Sequence, residues 1–223
     1  MKHSITALLV MVFITSAGCA PRSTADVQHP VNLQENLYNV AQYYEKGAYM
    51  SDVESVATKA DSYITNSLKT RKYIKPAIIF DIDETLLNNQ PMYQKTGYRF
   101  IPSVWKRWVD SAEIPAVEPI LKLYLKYVDR VDIFIVTGRN VFQRAQTMRN
   151  LEKRGIHGAT MVFFKEAWDK DLTAVEHKTK VVQQLVEKEG YEVIANIGDQ
   201  SSDFGATIQG ANFKLPNYLY ISR

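Results

Sequence analysis

The chain has 223 residues, 46% of them hydrophobic, with a net charge of +3 and an isoelectric point near 8.8. That length and composition allow a full core, with one domain as the default and room for a small insertion. Cys19 is the only cysteine, which excludes an intramolecular disulfide. The basic charge is spread out. Its densest patch, Lys69, Arg71, Lys72 and Lys75, accompanies no nucleic-acid motif and reads as a solvated helix end, so no nucleic-acid partner is expected.

At the N-terminus, Lys2 and His3 precede an apolar run over 5–14, then Ser16, Ala17, Gly18 and Cys19. The run falls short of the roughly 20 residues that span a bilayer and suits a secretory signal. The small residues before Cys19 resemble a bacterial lipoprotein signal, in which the cysteine becomes the lipidated first residue. Residues 1–19 are therefore expected to be a signal peptide with a lipidation cysteine. Residues 20–30, polar and with two prolines, are expected to be a tether. The expected location is the cell envelope, with the protein held to the membrane by its lipid and facing periplasm or cell surface.

The folded domain is expected over 31–223. Leu33, Leu37, Val40, Ala41 and Tyr44 recur at helical spacing up to Gly47. Ser51 and Glu54 have the spacing of a capping box, and Val53, Val56, Ala57, Ala60, Tyr63, Ile64 and Leu68 follow as a second helical stripe. Strands and helices then alternate. Strands are predicted over 77–83, 131–137, 160–164 and 192–197, with short ones over 213–215 and 218–221. Helices are predicted over 119–127, 141–153 and 174–189. The strands are continuous apolar runs, as in a parallel sheet covered on both faces. The expected fold is α/β: a Rossmann-like three-layer sandwich with a parallel sheet, two N-terminal helices and a small helical cap inserted over 88–129.

Polar residues cluster where the predicted strands end, which is where such sheets bind ligands. Asp81 and Asp83 end the first strand, and side chains two apart on a strand share a face. Two like charges there repel unless a cation or charged ligand is present. Thr137, Gly138 and Arg139 end the second strand, and Gly198, Asp199, Gln200 and Asp203 the fourth. Mg²⁺ takes about six oxygen ligands. Asp81, the backbone carbonyl of Asp83, and Asp199 would supply three, and substrate phosphate and water the rest. Asp81 would attack phosphorus, and Asp83 would protonate the leaving oxygen and then activate water. That role needs Asp83 protonated at the outset, which favours acidic pH. The Thr137 hydroxyl with the amides of Gly138 and Arg139, at the start of a helix, would cradle phosphate. Lys178 is chosen to neutralise phosphate and nucleophile, with Lys180 as competitor. Asp203 would hold Lys178 or a metal-bound water.

These segments resemble the haloacid dehalogenase superfamily. Asp81 to Thr85 match its first motif, Thr137 to Arg139 the second, Lys178 the third, and Gly198 to Asp203 the fourth. Within it the chain is most similar to the secreted acid phosphatases: bacterial class B and class C enzymes and plant vegetative storage proteins. The helix pair and lipoprotein-like start favour class C; the second and fourth motifs are closer to the other branches, and the subgroup stays open. The resemblance implies Mg²⁺-dependent hydrolysis of small-molecule phosphomonoesters. Asp83 argues for phosphate chemistry, since dehalogenases lack that residue, and Asp81 is retained where some plant storage members lose it. A phosphotransferase on the same site and a non-catalytic lipoprotein that binds a phosphorylated ligand are the alternatives.

The insertion carries Tyr93, Tyr98, Phe100, Trp105 and Trp108, which either pack the cap or stack on an aryl or nucleoside leaving group. Ser103 and Lys106 have the Ser-x-x-Lys spacing of penicillin-binding enzymes without the partner motifs. The four histidines show no metal-ligand spacing, and His177 is read as a solvated helix residue. Glu84 reads as a surface residue or a support for the strand end. Arg139 reads as a phosphate contact, a helix cap or a structural ion pair.

Overall fold

Alternate residues of the first strand belong to different layers. In β1 (Pro76–Phe80), Ile78 and Phe80 point into one apolar cluster, and Ala77 and Ile79 into another. This two-sided burial explains why the strand is an unbroken apolar run. The computed structural model describes residues 31–169 and 171–222. The expected signal, Cys19 and the 20–30 tether lie outside them. No helix among the described residues is long and apolar enough to cross a membrane.

β1 pairs in parallel with β2 (Asp132–Asn140) and β4 (Glu192–Gly198). β3 (Met161–Lys165) extends the sheet beyond β2, and β5 (Ala211–Lys214) beyond β4, also in parallel, giving the order β3-β2-β1-β4-β5. The chain winds outward from β1 to β3, then returns to lay β4 on the other side of β1. The switch point therefore lies at the carboxyl ends of β1 and β4, where open sheets leave a crevice.

On the first face lie α2 (Ala48–Thr70), α5 (Glu118–Tyr127) and α6 (Arg144–Lys153). The α2 stripe Val53, Ala57, Ala60 and Ile64 is buried at helical spacing. Fully burying a side chain such as Val53 or Ile64 stabilises by roughly 1.5–3 kcal/mol. The second face is covered by α7 (Ala174–Gln183), through Val181 and Val182, and by the π-helical turn that follows, Gln184–Lys188, through Leu185. α1 (Leu33–Glu45) leads into α2. The three-layer α/β sandwich and the two leading helices are as the sequence predicts.

Local differences have local causes. α2 begins at Ala48, after Gly47 in the left-handed region at φ 84°, so Ser51 lies inside the helix and caps nothing. Capping boxes form elsewhere, one of them at Thr173 and Glu176, starting α7. The 141–153 helix opens as a 3-10 turn, Val141–Gln143, before α6. The strand expected over 218–221 does not form, and the segment is held by side-chain hydrogen bonds instead. Within 88–129, α3 (Gln90–Lys95) and α4 (Pro102–Ser111) precede α5, which packs in the core through Ile120, Leu123, Tyr124 and Tyr127.

Candidate active site

The two aspartates leave β1 and separate. Three successive amides, those of Thr85, Leu86 and Leu87, converge on the carbonyl of Ile82, and Glu84 takes φ 55°. Left-handed backbone is costly for a residue with a Cβ, so this corner is held by its surroundings. The corner sends Asp81 and Asp83 to different cations. Each carboxylate thereby gains a cation that offsets part of the repulsion expected of a shared face.

Asp81 accepts from Lys178 Nζ at 2.6 Å, and the same ammonium contacts Asp203 Oδ1. All three side chains are at most 7% exposed. Lys178 reaches them from the first turns of α7. Lys180 points away and pairs at the surface with Asp169, which is partly buried. Asp203 also accepts from the Gln200 amide at 2.8 Å. Gly198 is required beside it: a Cβ there would lie 2.2 Å from Asp203 Oδ2.

Asp83 is gripped by Arg139, whose Nη2 donates to Oδ1 at 2.6 Å and Nε to Oδ2 at 3.0 Å. Asn89 Nδ2 adds a bond at 2.9 Å. Arg139 is itself fixed, through Nη1 to Thr147 Oγ1 at 3.0 Å and by the Trp105 ring 5.5 Å away. Of its three predicted roles, the ion pair is the one formed. No helix starts at Gly138 and Arg139, because β2 runs on to Asn140. The Arg139 amide is taken by Thr137 Oγ1 at 3.1 Å. The expected cradle is therefore not a helix N-terminus, although Gly138 is exposed and lines the cleft.

Asp199 follows β4. Its Oδ2 accepts from Gln200 Nε2 at 2.5 Å and Asn217 Nδ2 at 2.6 Å, while Oδ1 is buried without a partner. Oxygens of Asp81, Asp199 and Asp203 lie within 4.8 Å of one another. An orphaned buried carboxylate oxygen among other carboxylates suits a hard divalent cation. A divalent cation such as Mg²⁺ fits this set, which holds Asp81 and Asp199 and, closer than expected, Asp203.

Charges follow the geometry. Burial pushes the Asp81 carboxyl well above its ordinary range, Lys178 opposing and the other carboxylates reinforcing. Burial also raises Asp199 to about 6, with Asp203 adding to it. Burial acts the same way on Asp83, yet the Arg139 guanidinium prevails and holds it below the usual range. Lys178 is pulled down by burial and raised overall by its two carboxylates.

Asp81, Asp83, Arg139 and Lys178 line a cleft of about 490 Å³, together with Tyr93, Phe100 and Trp105. Trp108 instead donates to Asn89 at 2.9 Å. Several participants were not anticipated. Tyr220 lines the cleft, stacks on Tyr93 and bonds Glu84, which is buried rather than at the surface. Asn217 reaches Asp199 from the C-terminal segment. His177 is 2% exposed and faces inward, not into solvent. For Glu84, the adjacency to two aspartates at a strand end was the available signal; Asn217 and Tyr220 carried none.

The family model described as HAD superfamily, subfamily IIIB (Acid phosphatase) matches residues 10–223. The chain is 33% identical over 194 residues to the Stem 28 kDa glycoprotein of Glycine max, covering 84% of this chain and 75% of the relative. It is 32% identical to Acid phosphatase 1 of Solanum lycopersicum, with coverage of 81% and 72%. The fold matches the crystal structure of a class C acid phosphatase from Bacillus anthracis with tungstate bound, at a TM-score of 0.68 and 24% identity, over 86% of this chain and 87% of that one. The chain belongs to the subfamily IIIB acid phosphatases of the haloacid dehalogenase superfamily.

Proposed function

We propose that this acid phosphatase is an exported, Mg²⁺-dependent enzyme that hydrolyses phosphomonoesters through an aspartyl-phosphate on Asp81. The observation that carries the reading is the buried Asp81–Lys178–Asp203 triad beside Asp199, whose Oδ1 has no partner, with Asp81 and Lys178 lining the cleft. Asp81 and Asp199 side chains and the Asp83 carbonyl would hold the ion. Bound there, Mg²⁺ supplies charge neutralisation between phosphate and carboxylate.

In the first step an Asp81 oxygen bonds to phosphorus and the ester oxygen departs with a proton from Asp83. In the second, Asp83 takes a proton from water, the water oxygen bonds to phosphorus, and the bond to Asp81 breaks. Phosphate leaves and both aspartates are restored. Arg139 holds Asp83 ionised in the substrate-free protein, the form suited to the second step. An acidic medium and the negative charge of an arriving phosphate both favour the protonated form that starts the cycle. Lys178, Thr137 and Gly138 would bind the phosphoryl oxygens.

Tyr93, Phe100 and Trp105 suit an aryl or nucleoside leaving group, stacking on a base being worth roughly 1–3 kcal/mol. Lipidation at Cys19 would tether the enzyme to the envelope, and Cys19→Ala should move it from the membrane fraction to the soluble one. The decisive test is phosphate release from a generic aryl phosphate with Mg²⁺. Asp81→Asn should abolish turnover and Asp83→Asn should lose on the order of 10²–10⁴. Wild-type rate in Asp81→Asn, or undiminished activity after complete chelation, would sink the mechanism.

A further inference from the structure

The carboxylate of Asp199 is held asymmetrically. Oδ2 takes two amide donors, from Gln200 and Asn217, and Oδ1 takes none, although both oxygens are buried. A free carboxylate can turn about its Cβ–Cγ bond and exchange its oxygens. Here an exchange would have to break both bonds, so one oxygen is kept open, on a carboxylate that lies within 4.8 Å of those of Asp81 and Asp203.

The orientation of each amide is itself determined. Asn217 Oδ1 accepts from the Leu219 amide at 2.7 Å, which leaves its nitrogen for Asp199. Gln200 Oε1 accepts from the Ser222 amide at 2.9 Å, which does the same for its nitrogen. Both bonds come from the backbone of one C-terminal segment. That segment is anchored by Leu215, whose amide donates to the Gly198 carbonyl at 2.8 Å, and by Tyr218, whose amide donates to Tyr44 Oη at 3.2 Å.

We infer that the segment 215–222 is a positioning strap for the metal site, with Asn217 fixing the Asp199 rotamer that presents Oδ1 to a divalent cation. The inference rests on the reading of Asp199 as a metal ligand. Asn217 touches neither substrate nor ion; it acts through Asp199. Partners of this kind commonly change metal affinity about 10–100-fold when removed.

The test uses the full chain, stripped of divalent ions, with Mg²⁺ alone as probe. Binding is read by calorimetry and by the rise in melting temperature, and aryl phosphate turnover is followed against Mg²⁺ concentration. Asn217→Leu should raise the Mg²⁺ dissociation constant about 10-fold or more, and leave the KM for substrate at saturating Mg²⁺ within about twofold. Tyr44→Phe, which removes one anchor of the strap and leaves both amide donors on Asp199, should weaken Mg²⁺ binding less than Asn217→Leu does. If Asn217→Leu does not fold, Asn217→Ala is read in the same way. Unchanged Mg²⁺ affinity in the Asn217 variant, or equal weakening in Tyr44→Phe, overturns the positioning role alone. A wild-type protein that binds no Mg²⁺ overturns the metal reading and this inference together.

Discussion

Removing the Lys178 ammonium should destabilise the fold as well as stop the reaction. Its Nζ sits 2.6 Å from Asp81 and also contacts Asp203, and all three side chains are nearly inaccessible. In Lys178→Met two carboxylates face each other with oxygens within 4.8 Å and no cation between them. Two unit charges at about that distance repel by about 3.5 kcal/mol at an effective dielectric constant near 20. Breaking a buried ion pair from one side usually costs about 3–5 kcal/mol, in agreement. For a domain of this size that corresponds to a fall in melting temperature of about 6–20 °C. Urea unfolding at pH 7.5 without divalent ions measures the loss directly. Adding Mg²⁺ should recover part of it, because a cation among the carboxylates replaces the missing charge. Lys180→Met is the control: its pair with Asp169 is more than half exposed on the lysine side and contributes at most about 1 kcal/mol. Stability of Lys178→Met within about 1 kcal/mol of wild type would refute the reasoning.

Arg139→Lys keeps the charge but loses the two-pronged grip on Asp83 and the bond to Thr147. Lost charge-assisted bonds of about 1.5–3 kcal/mol should lower kcat/KM for an aryl phosphate by about 10–100-fold; an unchanged value would mean Asp83 needs no orienting. Gly198→Ala places a Cβ 2.2 Å from Asp203 Oδ2 and must push that carboxylate off both Lys178 and the Gln200 amide. Overpacking of this kind costs about 1–3 kcal/mol, and calorimetric melting together with a loss of turnover should report it. His177 concerns pH. Burial pulls its imidazole below the ordinary 6.5, Asp169 opposing and Lys178 and Lys165 assisting. The unfolded chain then binds more protons than the folded one, so the stabilisation is fully present above pH 6.5 and is lost as pH falls from there through the lower folded value. His177→Phe should therefore keep more of its melting temperature than wild type between pH 6.5 and 4.5, and parallel curves for the two proteins would rule this out.

Much of the fold was legible because each strand of a covered parallel sheet must be apolar on both faces, as Ile78 to Phe80 and Val193 to Ala195 are. Asp81, Thr137 and Asp199 stand at the ends of those runs. Helix starts were less legible. Ser51 and Glu54 have the spacing of a capping box, but the left-handed Gly47 starts α2 earlier, and nothing in the spacing reveals where the backbone turns left-handed. The helix start at Gly138 and Arg139 was illegible for a related reason: whether they begin a helix or end a strand depends on β2 pairing again with β3 at Asn140 and Lys165, a tertiary contact.

What the sequence could not show is which charge answers which. Asp81 and Asp83 are two residues apart, and as neighbours on an ideal strand they would share one field. The corner at Glu84 gives each its own cation, one from α7 and one from β2, 97 and 56 residues away. The two carboxylates are thereby driven in opposite directions, Asp81 raised and Asp83 lowered. Divergent surroundings separate two like groups; the substrate-free shifts run against the proposed first step, and a cation beside Asp81 and an arriving phosphate beside Asp83 would oppose both. Surroundings also set Asp199, whose free oxygen is defined by Asn217, a residue that no motif spacing connects to it. The motifs therefore locate the carboxylates, and the loop corner and the C-terminal segment decide what each carboxylate is free to do.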